Sequence, residues 1–542
     1  MRQRGSITVF ASLSLMLVAQ LIFTFLEGAH CQEVAKCARM NTESALESVF
    51  ADYCTPLWEN YHLLGFVAET GDGAFALNNR EAQVRRLTQE SLGTGSHLLH
   101  MDMTDVEFSS YLLMSDQAGR VFEEAVCAYM KQNVGYEAAK TLYGSYEAVL
   151  DLDKKYKGSD ESIENARQAL EEAKQQAEEQ SGMQVDKGQT QTAFLYGENS
   201  LAGRGMTMAH RNTTQKSSKR KKETKKKKPE KQTQINETES ADEEEENLLD
   251  TIAEAKQKGV LTLVLQQDSK LSDCAIKLDQ TVSHRSLRSG TGEMLPDSDW
   301  YQKVLLNQYL INYLGCYTDK LDHQSLNYEM EYVLAGKEKD SENLKIVVEE
   351  LLAIREALNM ASIMAMPDKQ TEAMTLALTI AGATVNPLII EAVKYGILAA
   401  WAFVESVLDL RTLLAGGKIA MVKSELEWTS NLSALPELLS GWSCAKESPQ
   451  GMDYKSCLGL LLYFHGEQQL SMRAMDVEET AIQSLEGYDN FQMDHLVCDA
   501  DICASYGYKP AFLSFVHLLK DKTGQFQIQN KARYSYFEKG GA

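Results

Sequence analysis

Apolar residues fill the stretch from Ile7 to Leu26, ITVFASLSLMLVAQLIFTFL, without a single charge and with Gln20 as its one strongly polar interruption. A helix of about 20 such residues is long enough to cross the hydrocarbon core of a bilayer. The pattern then turns amphipathic instead of stopping. Val34, Cys37, Ala38, Ala45, Val49 and Phe50 recur at helical spacing towards Tyr53, with no glycine after Gly28 and no proline. This predicts one continuous helix that leaves the membrane and becomes the first helix of a folded domain. Cys31 and Cys37 fall on it with a rise of about 9 Å and a rotation of about 240° between them, so they cannot pair with each other.

Further along, Phe50 to Glu69 is rich in aromatics and predicts a turn at Pro56 followed by a short core helix. Val106, Phe108 and Tyr111 alternate in part, as in a strand, and Ala118 to Leu152 returns to helical spacing. Ser159 to Gln180 has the mixed charges of an exposed helix and lacks the sustained apolar heptad positions of a coiled coil. Val260 to Leu265 (VLTLVL) predicts a short strand, Trp300 to Leu314 a helix, and Ser341 to Met366 an amphipathic helix. Glu372 to Ile390 and Glu391 to Leu414 are apolar enough to suggest a membrane hairpin. Pro387 interrupts the first, and the second carries Glu391, Lys394, Glu405, Asp409 and Arg411. Acids and bases cost about 2.5–3.5 kcal/mol each at a bilayer centre, which favours buried helices of a folded core. Phe526, Ile528, Ala532, Tyr534 and Tyr536 alternate in a clear terminal strand. The fold class expected is α+β, predominantly helical, with one N-terminal transmembrane helix continuing into the folded domain.

A chain of 542 residues exceeds what one hydrophobic core usually serves, so two folded units are expected. The boundary is suggested by charge. Lys216 to Lys231 (KSSKRKKETKKKKPEK) lies close to Glu237 to Glu246 (ETESADEEEE), and blocks of this kind cannot bury enough apolar surface to offset the entropy of ordering. The expected organisation is a leader over 1–5, a transmembrane helix over 6–26, a helical or mixed unit over 27–181, a disordered charged linker over 182–247 and an α-rich α+β unit over 248–542.

Arg2, Arg4 and the terminal amine precede the apolar run, whereas Glu27, Glu33, Lys36 and Arg39 after it sum to zero. By the positive-inside rule the N-terminus is cytoplasmic and the bulk of the chain extracytoplasmic, in a single-pass arrangement whose first partner is the lipid bilayer. A cleaved signal fits poorly, because the apolar run is long and ends in Leu26-Glu27-Gly28-Ala29-His30. His30 also occupies the place of the small residue that a lipid-modified Cys31 would need. The net charge of −23 argues against a nucleic-acid partner, since phosphate binding requires a basic face.

Catalytic motifs are wanting: there is no GxSxG, HExxH, Walker loop or complete dinucleotide fingerprint. Lys522-Thr523-Gly524 matches one element of the penicillin-binding set, but its SxxK counterpart, Ser218 to Lys221, sits among the lysines of the charged segment. No enzyme activity, cofactor or small-molecule substrate is expected. The densest group of ligand-type residues is Asp494, His495, Cys498, Asp499, Asp501 and Cys503, of which His495, Cys498 and Cys503 come nearest to a metal site. Their spacing is not that of a zinc finger. A disulfide between Cys498 and Cys503 and an ordinary loop with reduced thiols are the competing readings.

Three stretches resemble a family of membrane-anchored proteins with an uncharacterised domain from Gram-positive bacteria, often encoded with Tad or Flp pilus components. They are RGSITVFASLSLMLVAQLIFTFLEGAH from Arg4, FSSYLLMSDQAGRVFEEAVCAYMK from Phe108, and EYVLAGKEKDSENLKIVVEELLAIREALN from Glu331, continuing through ILAAWAFVESVLDLRTLLAGGKIAMVKS. The N-terminus is also similar to TadE- and TadG-like pseudopilins, in which a short basic leader and a small residue precede an apolar helix processed on its cytoplasmic face. The resemblance places the cut between Gly5 and Ser6, although Phe10 stands where pilins carry Glu. The anchor itself is marked by Ile7, Phe10 and Leu26. The resemblance implies a structural or accessory subunit of a Tad-type pilus or secretion assembly, with pilus or secretion subunits as partners. A wall-proximal surface-binding module and an anchored hydrolase with an unrecognised site are the alternatives.

Overall fold

The computed structural model describes residues 3–70, 73–95, 101–182, 248–266, 270–321, 326–382, 385–512 and 526–537. The expected linker therefore lies outside the described residues except for Gly182, as do Ser218 to Lys221 and Lys522-Thr523-Gly524.

The first helix, α1, runs unbroken for 48 residues from Gln3 to Phe50. Side chains from Ile7 to Leu26 are exposed nearly all round, whereas Val34, Ala38, Ala45, Leu46, Val49 and Phe50 are buried. The change follows from the sequence: apolar residues cover every face of the first part and only one stripe of the second. A proline-started helix, α2 (Thr55–Tyr61), and an 18-residue helix, α3 (Asn78–Gly95), come next.

That buried stripe lies on a four-stranded antiparallel sheet formed by β1 (Phe66–Val67), β2 (Met101–Leu113), β3 (Leu496–Tyr508) and β4 (Phe526–Ser535). β3 is central. It pairs with β2 from Met101↔Tyr508 to Leu113↔Val497 and with β4 from Asp499↔Ser535 to Tyr508↔Phe526, while β1 meets its first two residues. Everything from Met114 to His495 is thus inserted between two neighbouring strands. The register skips Cys498 between Leu112↔Asp499 and Leu113↔Val497. This extra residue forms a bulge, which changes the face a strand presents. Beyond it Ala500, Ile502, Ala504, Tyr506 and Tyr508 join the core under α1, whereas Leu496 and Cys498 point into the core of the inserted helices.

The inserted unit is helical. Its elements are α4 (Asp116–Met130), α5 (Tyr136–Tyr156), α6 (Ser159–Gly182), α7 (248–257), α8 (Val260–Val264), α9 (Trp300–Tyr313), α10 (Glu329–Ala335), α11 (Asp340–Met364), α12 (Pro367–Ala381), α13 (Pro387–Leu414), α14 (Leu435–Ser440), α15 (Tyr454–Phe464) and α16 (Glu467–Gln483). α13 is its axis, buried on all sides from Ile397 to Leu413. α6 crosses it at Gly396, where an added Cβ would collide with Ala166. Arg167 on α6 donates to Asp250 on α7 at 2.9 Å, so the two helices that flank the charged segment are in contact.

Three expectations change. VLTLVL is helix α8, because a short apolar run is satisfied by burial in either conformation and here lies beside α11 and α13. The group from Asp494 to Cys503 is mostly strand β3, with no disulfide: Cys498 and Cys503 are both free. The two cores are not divided at the charged segment, because β2 lies before it and β3 and β4 after it in one sheet. The α+β class, the continuous first helix and the terminal strand all stand as expected.

Candidate membrane and assembly helix

The element best fitted to act outside the fold is α1. Ile7 and Phe10 are 67% and 73% exposed, and Leu26, at the end of the apolar run, is 42% exposed. Transfer of apolar area out of water is worth about 25 cal/mol per Å², so a helix exposing this many large side chains demands a non-aqueous or protein environment. By length and composition it can cross a membrane. α13 passes the same test, but more than half of its apolar window is covered by its own fold. Gly5 and Ser6 lie within the first turns of α1.

The emergence point is built with polar contacts. Glu27, buried at the first turn beyond the apolar run, accepts the Phe512 backbone N–H at 2.7 Å and meets His30 Nδ1 at 3.2 Å. Higher up, the Thr42 and Tyr506 hydroxyls lie 2.7 Å apart and Cys31 Sγ is 3.3 Å from the Tyr508 hydroxyl. At the C-terminal end, Tyr536 donates to the Phe50 carbonyl, and the Phe50 ring packs within 5.0 Å of Phe66, Tyr534 and Tyr536. Burial raises the Tyr506 and Tyr536 hydroxyls above the usual phenol range, so both stay protonated donors. α1 is therefore held along its second part by side chains from both long strands that follow the insertion.

Beyond the end of α1 opens a cleft of about 540 Å³, lined by Phe50, Trp58, His62, Tyr129, Tyr534 and Tyr536 among others. His62 ends α2 in the left-handed region at φ 57°, and its ring stacks on Tyr129 at 4.8 Å. Nδ1 of that ring is buried without a hydrogen bond. A left-handed backbone costs a non-glycine residue about 1–2 kcal/mol, offset here by the ring contacts.

The residues nearest to a metal site in sequence are not brought together. His495 Nδ1 contacts Glu69 at 3.0 Å, Asp494 pairs with Arg285, and Asp499 pairs with Arg533. The Cys498 thiol faces Met114 in the helical core, where burial pushes its pKa well up, while Cys503 lies farther along β3 and is only half-buried. Among the described residues no three His, Cys, Asp or Glu side chains converge on a point.

Sequence reasoning missed two polar clusters that only tertiary contact assembles. Ser283 Oγ donates to Asp476 Oδ2 at 2.5 Å and sits 2.8 Å from His284 Nδ1. The carboxylate grips the hydroxyl rather than the imidazole, which is not the order a serine hydrolase relay needs. The second cluster joins Arg355, Asp409, Lys423 and Glu405 deep beside α13, where Lys423 and both carboxylate side chains are wholly buried. No signal in the sequence links these residues, apart from Glu405 and Asp409 standing one helical turn apart.

A family model described as a family of unknown function (DUF5702) matches residues 238–508, half of the chain, from the acidic block to the end of β3. No curated protein and no solved structure matches the chain.

Proposed function

Because the chain belongs to the DUF5702 family, whose function is unknown, we propose from the form of α1 that it is a membrane-anchored, pseudopilin-like subunit of a Tad- or Flp-type pilus or secretion assembly. The observation that carries this reading is the single helix that is bare and apolar over its first part and seated on an antiparallel sheet over its second. Such a helix can be held by lipid and then by the corresponding helices of other subunits without refolding, since both surroundings replace water around the same side chains. The basic leader supports a cytoplasmic N-terminus, with the sheet and inserted helices outside.

The insertion between β2 and β3 bears on position within such an assembly. A unit of this bulk beside the sheet leaves little room for copies stacked at pilin spacing, which supports a minor, terminal or base-associated subunit over a repeating one. The test is exchange of residues 7–26 for an unrelated transmembrane helix of equal length. Loss of filaments or secretion with normal membrane insertion is the expected result; full function with the foreign helix overturns the proposal and leaves only an anchor.

A second reading, a tethered surface-binding module, draws support from the aromatic cleft beyond Phe50. Substitution of Trp58 and Tyr129 by alanine separates the two, because assembly through α1 does not require that cleft.

A further inference from the structure

Glu405 and Asp409 lie four residues apart on α13 and therefore share one face. The chain leaving α13 turns back so that Lys423 reaches both of them, and all three side chains have no exposure to solvent. Lys423 Nζ donates to Glu405 Oε1 and lies 2.5 Å from Asp409 Oδ1. Oδ1 meets no donor besides that ammonium group. Oδ2, by contrast, accepts from Arg355 Nε at 3.1 Å, Arg355 Nη2 at 2.7 Å and Asn359 Nδ2 at 2.8 Å. Glu405 is fixed in turn by the Thr429 N–H at 3.0 Å, the Ser430 N–H at 2.9 Å and the Ser430 hydroxyl at 2.6 Å.

Nζ thus lies against one oxygen of the Asp409 carboxyl group while three N–H donors hold the other. We propose that Lys423 and Asp409 join in an intramolecular amide, with Glu405 as the proton carrier. Glu405 takes a proton from the Nζ ammonium and passes it to Oδ1 of Asp409, and the freed amine pair attacks Cγ of the neutral acid. The negative charge that grows on Oδ2 is met by Arg355 and Asn359, placed as an oxyanion hole requires. A second proton then moves from Nζ to Oδ1 through Glu405, and the Cγ–Oδ1 bond breaks to release water. Nζ keeps one hydrogen. One ammonium and one carboxylate become one amide and one water, with no oxidant or reductant.

Two features make the step favourable in this place. Fixed contact replaces a bimolecular encounter, for which effective molarities of about 10⁵–10⁸ M are attainable. Each buried ion also carries a desolvation penalty of several kcal/mol, which the neutral amide removes. Arg355 and Glu405 remain as one balanced pair. The product closes a covalent loop from Asp409 to Lys423 and staples the last turns of α13 to the segment that covers them.

The test is a peptide map of the full chain, purified in detergent and digested with trypsin. The expected product is Tyr395–Arg411 joined to Ile419–Lys446, uncut at Lys423 and lighter than the two peptides together by one water. Recovery of Ile419–Lys423 and Ser424–Lys446 as free peptides overturns the proposal. Asp409→Asn, which keeps the shape, is expected to give the same junction with loss of ammonia. Glu405→Gln is expected to give the unlinked peptides, and persistence of the junction in that variant would remove Glu405 from the step. The wild-type map decides the main point even where a variant fails to fold.

Discussion

Asp116, the first residue of α4, receives the backbone N–H of Gly290 on both carboxylate oxygens, at 2.9 and 3.1 Å. The same carboxylate accepts the Leu113 N–H at 2.6 Å, and the N–H groups of Thr291 and Gly292 both donate to the Tyr111 carbonyl at 2.9 Å. A few residues earlier, Arg285 holds Asp494 at 2.6 Å and the Arg288 N–H donates to it at 3.2 Å. The segment 285–292 therefore clasps the chain where it leaves β2 and again where it returns to β3. Gln117 and Ala118, both at positive φ, complete the sharp turn out of the sheet.

Removing this clasp is expected to weaken the fold measurably. Hydrogen bonds to a charged group are worth about 1.5–3 kcal/mol, and Asp116→Ala loses the acceptor for two backbone donors. Asp116→Asn keeps an oxygen and is expected to lose less. In Gly290→Ala the new Cβ would lie against the Tyr111 carbonyl and 2.5 Å from Asp116 Oδ2, so that variant should resemble Asp116→Ala. Denaturant unfolding of the three variants checks the order; equal stability in all of them would show that the clasp contributes nothing.

Stability is expected to fall as pH rises from about 4.5 to 7. Burial pushes Glu331 up to about 7, against the Tyr317 N–H and Tyr454 hydroxyl that favour its anion. A carboxyl raised in the folded state holds its proton there more tightly than in the unfolded chain. Its contribution is therefore most favourable below the unfolded value and is lost as pH climbs through the folded one. One pH unit is worth about 1.4 kcal/mol, so this group alone can account for up to about 3 kcal/mol. Glu478 and Asp476, also raised by burial, act in the same direction. Glu331→Gln should raise the melting temperature at pH 8 and change it little at pH 4.5; the same gain at both values would rule out titration as the cause.

How much of this was legible from the sequence depends on whether the signal is local. α1 and β4 were legible, because an uninterrupted apolar run and a strict alternation each have one cheap solution. β3 was not. Beyond the bulge its buried Ala500, Ile502, Ala504 and Tyr506 do alternate with half-buried Asp501, Cys503 and Ser505, but Asp499, Asp501, Cys498 and Cys503 gave it the composition of a ligand-bearing loop. Its partner β2 is separated from it by the whole insertion, and pairing at such a distance leaves no periodicity to read. The α13 cluster was equally hidden: Glu405, Asp409 and Arg411 argued against a membrane span, but their partners Lys423, Arg355 and the carbonyls of Leu438 and Leu439 appear only on folding.

Arg355→Met is expected to be among the most damaging single changes in the helical unit. The guanidinium, 5% exposed, supplies two of the donors on Asp409 and also donates to the Met421 carbonyl at 3.0 Å. Before Asp409 is joined to Lys423, burial by itself would raise its carboxyl, but the Arg355 and Lys423 charges outweigh it and hold the carboxyl below its usual range. Removing one member of a buried charge pair typically costs about 3–5 kcal/mol. Arg355→Met paired with Asp409→Leu should recover much of that loss in a thermal melt; a double variant no better than the single would place the damage in packing instead of charge.

The outward placement of the folded units can be tested through one side chain. Of the ten cysteines, Cys444 is the exposed one, on the surface just before the hydrogen bond from the Ala445 N–H to Thr412. A membrane-impermeant maleimide applied to intact spheroplasts should label the protein, and Cys444→Ser should lose most of that label, leaving a minor signal from the half-buried thiols. Labelling that appears only after lysis would put the sheet and the inserted helices in the cytoplasm and reverse the orientation argued from Arg2 and Arg4. Leu15→Arg supplies the complementary measurement. A base at the bilayer centre costs about 2.5–3.5 kcal/mol, and Leu15 is 71% exposed on α1, so nothing in the fold compensates for the charge. That variant should shift the chain from the alkali-resistant membrane fraction towards the soluble one. Unchanged membrane retention together with unchanged Cys444 labelling would mean that α1 is not what holds the protein at the bilayer.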